Sequence, residues 1–311
     1  MTQRAVREAT HETIVLAPGE EVYRLLADVA RWPLIFPPTV HAEQLEQDGL
    51  EERIRIWATA NDTAKTWTSR RRLDPDGMRI DFRQEVSQAP VASMGGAWVI
   101  EPHSDRECRV LLLHDYSAVD GDPQSLDWID RAVDRNSTAE LAALKAVAEA
   151  GEADELRISF DDTVHISGSA KDVYDFLNEA QHWAERLPHV ARVNLREDVE
   201  GLQILEMDTT TKDGSVHSTS SVRVCQPYQR IVYKQTLLPA LMTLHTGHWL
   251  LEETDSGVRV TSRHTVAINP DNVPRILGPD AGVDDAKRYV RNALSTNSLA
   301  TLQHAAEYAR R

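Results

Sequence analysis

Apolar and polar residues alternate along most of the chain, and turn residues interrupt the alternation at regular intervals. Thr13–Ala17 reads as a strand. Pro18-Gly19 breaks it, and Glu20–Ala27 follows as a short helix with acidic residues in its first turn. Val29–Phe36 is a second short helix, ended by Pro37-Pro38. Six alternating segments come next: Thr39–Leu45, Glu51–Thr59, Ala64–Leu73, Arg79–Gln88, Val91–Glu101 and Arg109–Val119. Turns such as Asp48-Gly49, Asn61-Asp62 and Asp74-Pro75-Asp76-Gly77 separate them. Pro123–Ala150 then reads as one long helix. Leu126, Ile129, Val133, Ser137, Leu141, Leu144 and Ala148 recur at three- and four-residue spacing and give it one apolar face.

The pattern occurs twice. Shifting the chain by 151 positions aligns Trp32 with Trp183, Arg79-Ile80 with Arg230-Ile231, and Trp98 with Trp249, without a gap. With small shifts His114 meets His264, and Asn136-Ser137 meets Asn297-Ser298. The expected fold is α+β: two tandem helix-grip domains, each a bent antiparallel sheet of about seven strands wrapped around a long C-terminal helix, with an interior cavity. The expected domains are residues 1–150 and 159–311, joined by a linker over Gly151–Ile158. The second copy ends in a helix over Asp284–Arg311. It also carries an insertion, Asn269–Gly282, that reads as a loop over one end of the cavity.

A length of 311 residues suits two domains, and an apolar content of 41% suits ordinary cores. The formal charge of −15 argues against nucleic acid or an anionic membrane as a main partner. Cys108 and Cys225 are too few for a disulfide framework and fit a reducing compartment. The first residues, MTQRAVREATHE, lack the apolar stretch of a signal peptide, and no run reaches the length of a membrane span. A cytoplasmic protein is expected. No HxxxH or HExxH helix, phosphate-binding glycine loop or Gly-x-Ser-x-Gly elbow is present, so no metal or cofactor is expected.

The segment Lys65–Arg72 carries the most chemical information. On a strand, Trp67, Ser69, Arg71 and Leu73 share one face, while Arg70 and Arg72 share the other. Trp67 and Leu73 favour the interior, which takes Ser69 and Arg71 inward. An inward arginine is either paired to a carboxylate or aimed as a fixed cation at a carbonyl or enolate oxygen. Trp32 and Trp98 are either cavity walls for a flat ligand or plain core residues. His114 reads either as a general acid or base or as a satisfied structural group. Tyr116 shares its face and is a candidate partner for it. Asn136 lies near the apolar face of the long helix and is a candidate for placing a carbonyl or water. At the 151-residue offset, Trp67, Ser69 and Arg71 meet Ser218, Ser220 and Val222. The second domain is therefore expected to lack the inward arginine.

The runs Trp32–His41, Lys65–Arg71, Phe82–Glu85 and Ala92–Trp98 resemble the aromatase/cyclases of bacterial type II polyketide synthases, which have the START-like fold. The tandem arrangement resembles the didomain members of that family. The resemblance implies regiospecific first-ring aldol closure, of C7–C12 type, and/or dehydration to an aromatic ring. It implies a poly-β-ketone substrate carried on an acyl carrier protein, with transient contact to other synthase subunits. It also implies that Arg71 is central to activity and that Trp32, Trp67, Ser69 and Trp98 line the pocket. Within that mechanism Ser69, His114 and Tyr116 are candidate proton-transfer groups. The other class of function is a non-catalytic carrier for a hydrophobic polyketide or lipid-like ligand. A monomer is expected, because the fused pair can take the place of a homodimer.

Overall fold

A computed structural model describes residues 6–60, 63–151, 155–210 and 216–310. The chain forms two compact units, divided between residues 154 and 155. The first holds β1 (Arg7–Val15), α1 (Gly19–Ala27), α2 (Trp32–Ile35), β2 (Thr39–Asp48), β3 (Glu51–Ala60), β4 (Thr63–Asp74), β5 (Arg79–Gln84), β6 (Val91–Ser104), β7 (Glu107–Ala118) and α3 (Pro123–Ala150). The second repeats the order with β8 (Arg157–Ile166), α4 (Ala170–Asn178), α5 (Trp183–Arg186), β9 (Val190–Val199), β10 (Leu202–Thr210), β11 (Val216–Gln226), β12 (Arg230–Leu237), β13 (Met242–Thr254) and β14 (Gly257–Ile268). It closes with α6 (Val273–Leu277) and α7 (Val283–Tyr308).

Each unit has one seven-stranded antiparallel sheet, in the order β1-β7-β6-β5-β4-β3-β2 and β8-β14-β13-β12-β11-β10-β9. Six consecutive strands thus form a meander, and the first strand closes against the last. The long helix of each unit covers the inner face of its sheet. α3 starts at an N-cap, Asp122, whose carboxylate accepts from the Ser125 amide at 2.8 Å, with Pro123 in the first turn. Its apolar row packs Leu141, Leu144 and Ala148 against Val15, Leu26, Ile80, Trp98 and Leu112. Further toward the helix start, Leu126, Ile129 and Val133 pack against Tyr116 and Ala118.

Most expected elements appear, and the departures have local causes. β1 starts at Arg7 instead of Thr13, because β7 supplies a full ladder from Tyr116 to Cys108 that needs no apolar pattern. The second short helix divides into a 3₁₀ turn, Val29–Arg31, and α2. β8 begins at Arg157, inside the expected linker, because Arg157 and Ile158 pair with Ala267 and Val266. The insertion is not a plain loop. It holds α6, whose Val273 joins Leu241, Val266, Ile268, Ala286 and Val290 in an apolar cluster. The expected turn at Asn61-Asp62 and residues 152–154 lie outside the described residues. Among the described residues, no helix is long and apolar enough to cross a membrane.

A glycine at the same place in each sheet is fixed by close approach. A Cβ on Gly96 would stand 1.8 Å from the Leu113 carbonyl oxygen and 2.9 Å from the Phe82 ring. Gly247 takes the same place in the second sheet, 2.1 Å from the Arg263 oxygen and 2.6 Å from the Tyr233 hydroxyl. Gly96→Ala should cost about 3 kcal/mol, because the two strands cannot part without losing their ladder. Urea unfolding against the wild type measures this, and an unchanged midpoint would contradict it.

Candidate functional site

The strand-face assignment holds at β4. Ser69 and Arg71 are buried, whereas Arg70 and Arg72 are exposed on the outer face. Of the two readings of an inward Arg71, the structure has the paired one. Its Nε donates to Glu52 Oε1 at 2.6 Å, and Nη2 also reaches that carboxylate. Nη1 donates to the Leu26 carbonyl at 2.8 Å and Nη2 to the Ala27 carbonyl at 2.6 Å. Four of the five guanidinium N–H groups are thereby engaged. The Trp32 ring lies over the cation, 5.1 Å from its centroid, and the Trp32 indole N–H donates to the Leu26 carbonyl at 3.2 Å. Burial presses the Arg71 pKa downward, and the Glu52 carboxylate opposes that shift. Gln44 Nε2 donates to the second Glu52 oxygen at 2.5 Å. Arg71 is therefore a clasp between the sheet and the end of α1. Glu52 was legible as the polar member of an inward row with Ile54 and Ile56, but its charge marked it as surface.

The tryptophans divide. Trp98 is 6% exposed and stacks on Phe36 at 6.2 Å, as a core residue. Trp32 meets Phe36 edge-on and packs partly buried between two clusters. Trp67 is half-buried against Val29, Ala42, Ile54, Ile56 and Ala58. Phe82, Gln84, Met94 and His114 also sit on the inner rows of β5, β6 and β7 and keep accessible surface. These inner-row side chains are therefore not fully packed between the sheet and α3.

His114 and Tyr116 share a face but not a hydrogen bond. Tyr116 is 2% exposed and donates to the Asp130 carboxylate on α3, which also pairs with Arg7. Its role in the structure is to tie β7 to the helix. His114 Nδ1 lies 3.5 Å from Ser137 Oγ, and the Phe82 ring meets the imidazole edge-on. Burial holds the His114 pKa down to about 4, with the nearby His11 adding to the shift. Asn136 is exposed on α3. It adjoins Ser137 in sequence, but the 100° step per residue turns it away from the interior, so its expected placing role has no geometric basis.

Glu140 was not expected. It follows Ser137 by three residues on the inward side of α3, keeps accessible surface, and is nevertheless enclosed by protein. Burial alone lifts its carboxyl to about 7. No ion pair or hydrogen bond restrains it among the described residues. The interior thus places a neutral imidazole on β7 and a near-neutral carboxyl on α3.

The second unit corrects another expectation: it has an inward arginine. Arg71 pairs with Phe82 across β4 and β5, and Arg223 pairs with Tyr233 across β11 and β12. The turn after β11 spans residues 227–229 where the turn after β4 spans 75–78, one residue more. The true partners are therefore 152 positions apart, and Trp67, Ser69 and Arg71 correspond to Thr219, Ser221 and Arg223. Arg223 is 3% exposed, donates to the Leu177 carbonyl at 2.5 Å, and lies over Trp183 at 5.2 Å. Gln203 replaces Glu52, and its Nε2 donates to Glu197 at 2.8 Å.

Arg70, Arg72, Arg79 and Arg83 line an outer groove of about 520 Å³ on the first sheet. Each already has an acidic neighbour: Glu85, Glu51, Asp81 and Asp115, respectively. Among the described residues, no group of three histidine, cysteine, aspartate or glutamate side chains is placed to hold a metal.

Residues 15–135 and 157–307 each match a family model described as polyketide cyclase/dehydrase and lipid transport. A granaticin polyketide synthase bifunctional cyclase/dehydratase of Streptomyces virginiae is 52% identical over 94% of this chain and 97% of its own. An actinorhodin polyketide synthase bifunctional cyclase/dehydratase of Streptomyces coelicolor is 44% identical over 98% of each. The solved structure of the di-domain ARO/CYC BexL from the BE-7585A biosynthetic pathway superposes with a TM-score of 0.92. It shares 58% identity over 98% of this chain and 99% of its own.

Two outcomes follow from this geometry. Arg71→Ala or Glu52→Ala alone should cost about 3–5 kcal/mol, because each strands a buried charge. Replacing both with apolar residues should recover much of the loss in a urea-unfolding cycle, and additive losses would contradict the pairing. The second outcome concerns pH. The folded Glu140 pKa of about 7 lies above the ordinary 4.5, so its stabilising contribution is full below pH 4.5 and is lost as pH rises through 7. The folded His114 pKa of about 4 lies below the ordinary 6.5, so its contribution is full above 6.5 and is lost as pH falls toward 4. Glu140→Gln should therefore gain stability over wild type between about pH 5 and about pH 8. Thermal melts at the two values check this, and an equal difference at both would refute it.

Proposed function

We propose, on the premise that the chain belongs to the polyketide cyclase/dehydrase and lipid transport family, that its N-terminal interior closes the first ring of a poly-β-ketone and removes water to make it aromatic. The protein is an enzyme of aromatic polyketide biosynthesis that acts in cyclisation and aromatisation. Both relatives named above are enzymes by description, which favours turnover over a carrier role. The regiochemistry we assign is C7–C12, and the substrate is tethered to an acyl carrier protein. We place the enzyme in the cytoplasm, as a monomer that meets the synthase subunits transiently. The outer groove carrying Arg70 and Arg72 is our candidate for docking an acidic carrier.

The observation that carries this reading is that the first unit buries an imidazole beside Ser137 on the inner row of β7, His114, and a carboxyl one turn along α3 from Ser137, Glu140. Aldol closure forms one carbon–carbon bond, as an enolate carbon adds to a carbonyl carbon and the carbonyl oxygen takes a proton. Holding the chain folded between Trp67, Phe82 and Met94 contributes by proximity. Aromatisation then removes a carbon-bound proton and a hydroxyl as water. Neutral His114, held by Ser137, can accept the carbon-bound proton. Glu140, protonated for part of the time near pH 7, can give one to the departing hydroxyl. Proton exchange with water then restores both groups.

The oxyanion role expected for Arg71 is not the one we assign. Its charge is balanced by Glu52, and four of its five N–H groups are spent on Glu52 and two α1 carbonyls. We assign Arg71, with Ser69 on the same inward row and Trp32 above it, to shaping the closed end of the cavity. Tyr116 and Trp98 support the wall.

A reconstituted minimal synthase should give spontaneous shunt products alone and one ring-closed aromatic product when this protein is added. Glu140→Gln and His114→Gln should slow aromatisation about 100-fold and accumulate the closed, hydroxylated intermediate. Wild-type product profiles from both variants would overturn the assignment of these two residues.

A further inference from the structure

The inner wall of the second unit repeats one feature of the first and changes its surroundings. His264 and Ser298 take the places of His114 and Ser137. Around them Tyr233, His245 and Ser262 stand where the first unit has Phe82, Met94 and Leu112. The first unit shows that the fold closes with apolar residues at those three positions. Burying polar groups there costs free energy unless they are fully paired.

They are not fully paired. Tyr233 Oη lies 2.8 Å and His245 Nε2 2.9 Å from the same atom, His264 Nδ1. His264 Nε2 lies 2.8 Å from Ser298 Oγ and 3.2 Å from Ser262 Oγ. The neutral tautomers that satisfy most of these contacts have His264 Nε2–H donating to Ser298. Tyr233 and His245 then both donate to His264 Nδ1. One lone pair serves two donors. If the Tyr233 hydroxyl turns elsewhere, His245 keeps His264 satisfied. The same tautomers leave His245 Nδ1 as an acceptor with no partner, on a side chain that is 3% exposed. Gln235 Oε1, two residues from Tyr233 on the same inward row, is also buried without a partner. Tyr233 stands on the inward row of β12 and keeps accessible surface.

We infer that the interior of the second unit is a separate binding site for a neutral, flat, oxygenated molecule of the enolised β-diketone or ortho-acylphenol class. Tyr233 donates to the ligand's carbonyl oxygen. His245 Nδ1 or Gln235 Oε1 accepts from its enol or phenol hydroxyl. Such a ligand carries one acceptor and one adjacent donor, the complement of this wall. The ligand class rests on the proposed function, and the site itself rests on the geometry alone. No bond is made or broken there.

The test uses the full chain labelled with ¹⁵N-histidine and titrated with 1-hydroxy-2-acetonaphthone, with 2-ethylnaphthalene as the probe without oxygen. The expected result is a saturable shift of the His245 and His264 ring resonances with the first probe, assigned by their loss in His245→Met and His264→Asn. Tyr233→Phe and His245→Met restore the residue types that the first unit tolerates. Each should weaken the hydroxyketone about tenfold and leave 2-ethylnaphthalene unaffected. Unmoved histidine resonances at saturating probe, or equal affinity in wild type and both variants, would overturn the inference. A failed product assay with intact binding would instead count against the ring-closing function and leave this site standing.

Discussion

A buried arginine at the C-terminal end of a short helix holds each shell together at one end. The last carbonyls of α1 have no partner within the helix, and the helix dipole makes that end negative. Arg71 reaches up from β4 to two of them, and Arg223 reaches from β11 to one at the end of α4. A tryptophan covers each guanidinium and spends its own N–H on a carbonyl of the same helix. The position of the short helices over the sheet, and hence the shape of the closed end, follows from these bonds. In the first unit the charge is balanced on the spot by Glu52. In the second a neutral Gln203 stands there and donates to the carboxylate of Glu197.

The clasp works at one end, and part of the remaining inner wall is free to vary between the copies. The two copies use that freedom in opposite ways. The first surrounds a histidine–serine pair with Phe82, Met94 and Leu112 and adds a carboxyl from the helix, Glu140. The second surrounds the equivalent pair with hydroxyl and imidazole groups. An apolar wall suits the holding of a long ketone chain in one fold. A wall of donors and acceptors suits recognition of particular oxygens.

Much of the architecture was legible because period-two alternation, turn residues and an internal repeat agreed with one another. The face of Arg71 followed from Trp67 and Leu73 on the same row. Its partner did not, because Glu52 lies on another strand and a charged residue is ordinarily exposed. Arg223 was missed for a geometric reason: pairing across a hairpin fixes the register, and a turn shorter by one residue displaces the strand that leads into it. Asn136 was misplaced because adjacency to an inward residue means little on a helix. Tyr116 was assigned a partner by face alone, whereas its hydroxyl is claimed by Asp130, which the sequence sets on a different element. Glu140 carries a charge that disguises an inward position.

The unequal turns have a consequence for exchanging parts between the two halves. Each hairpin carries its own turn, and the turn sets which residue arrives beneath the helix. The pieces 63–84 and 216–235 are therefore self-contained cassettes. A graft of the whole hairpin brings its arginine to the right address, whereas β11 spliced into the first unit at the 151-residue offset delivers Val222 there and leaves the helix end without its cation.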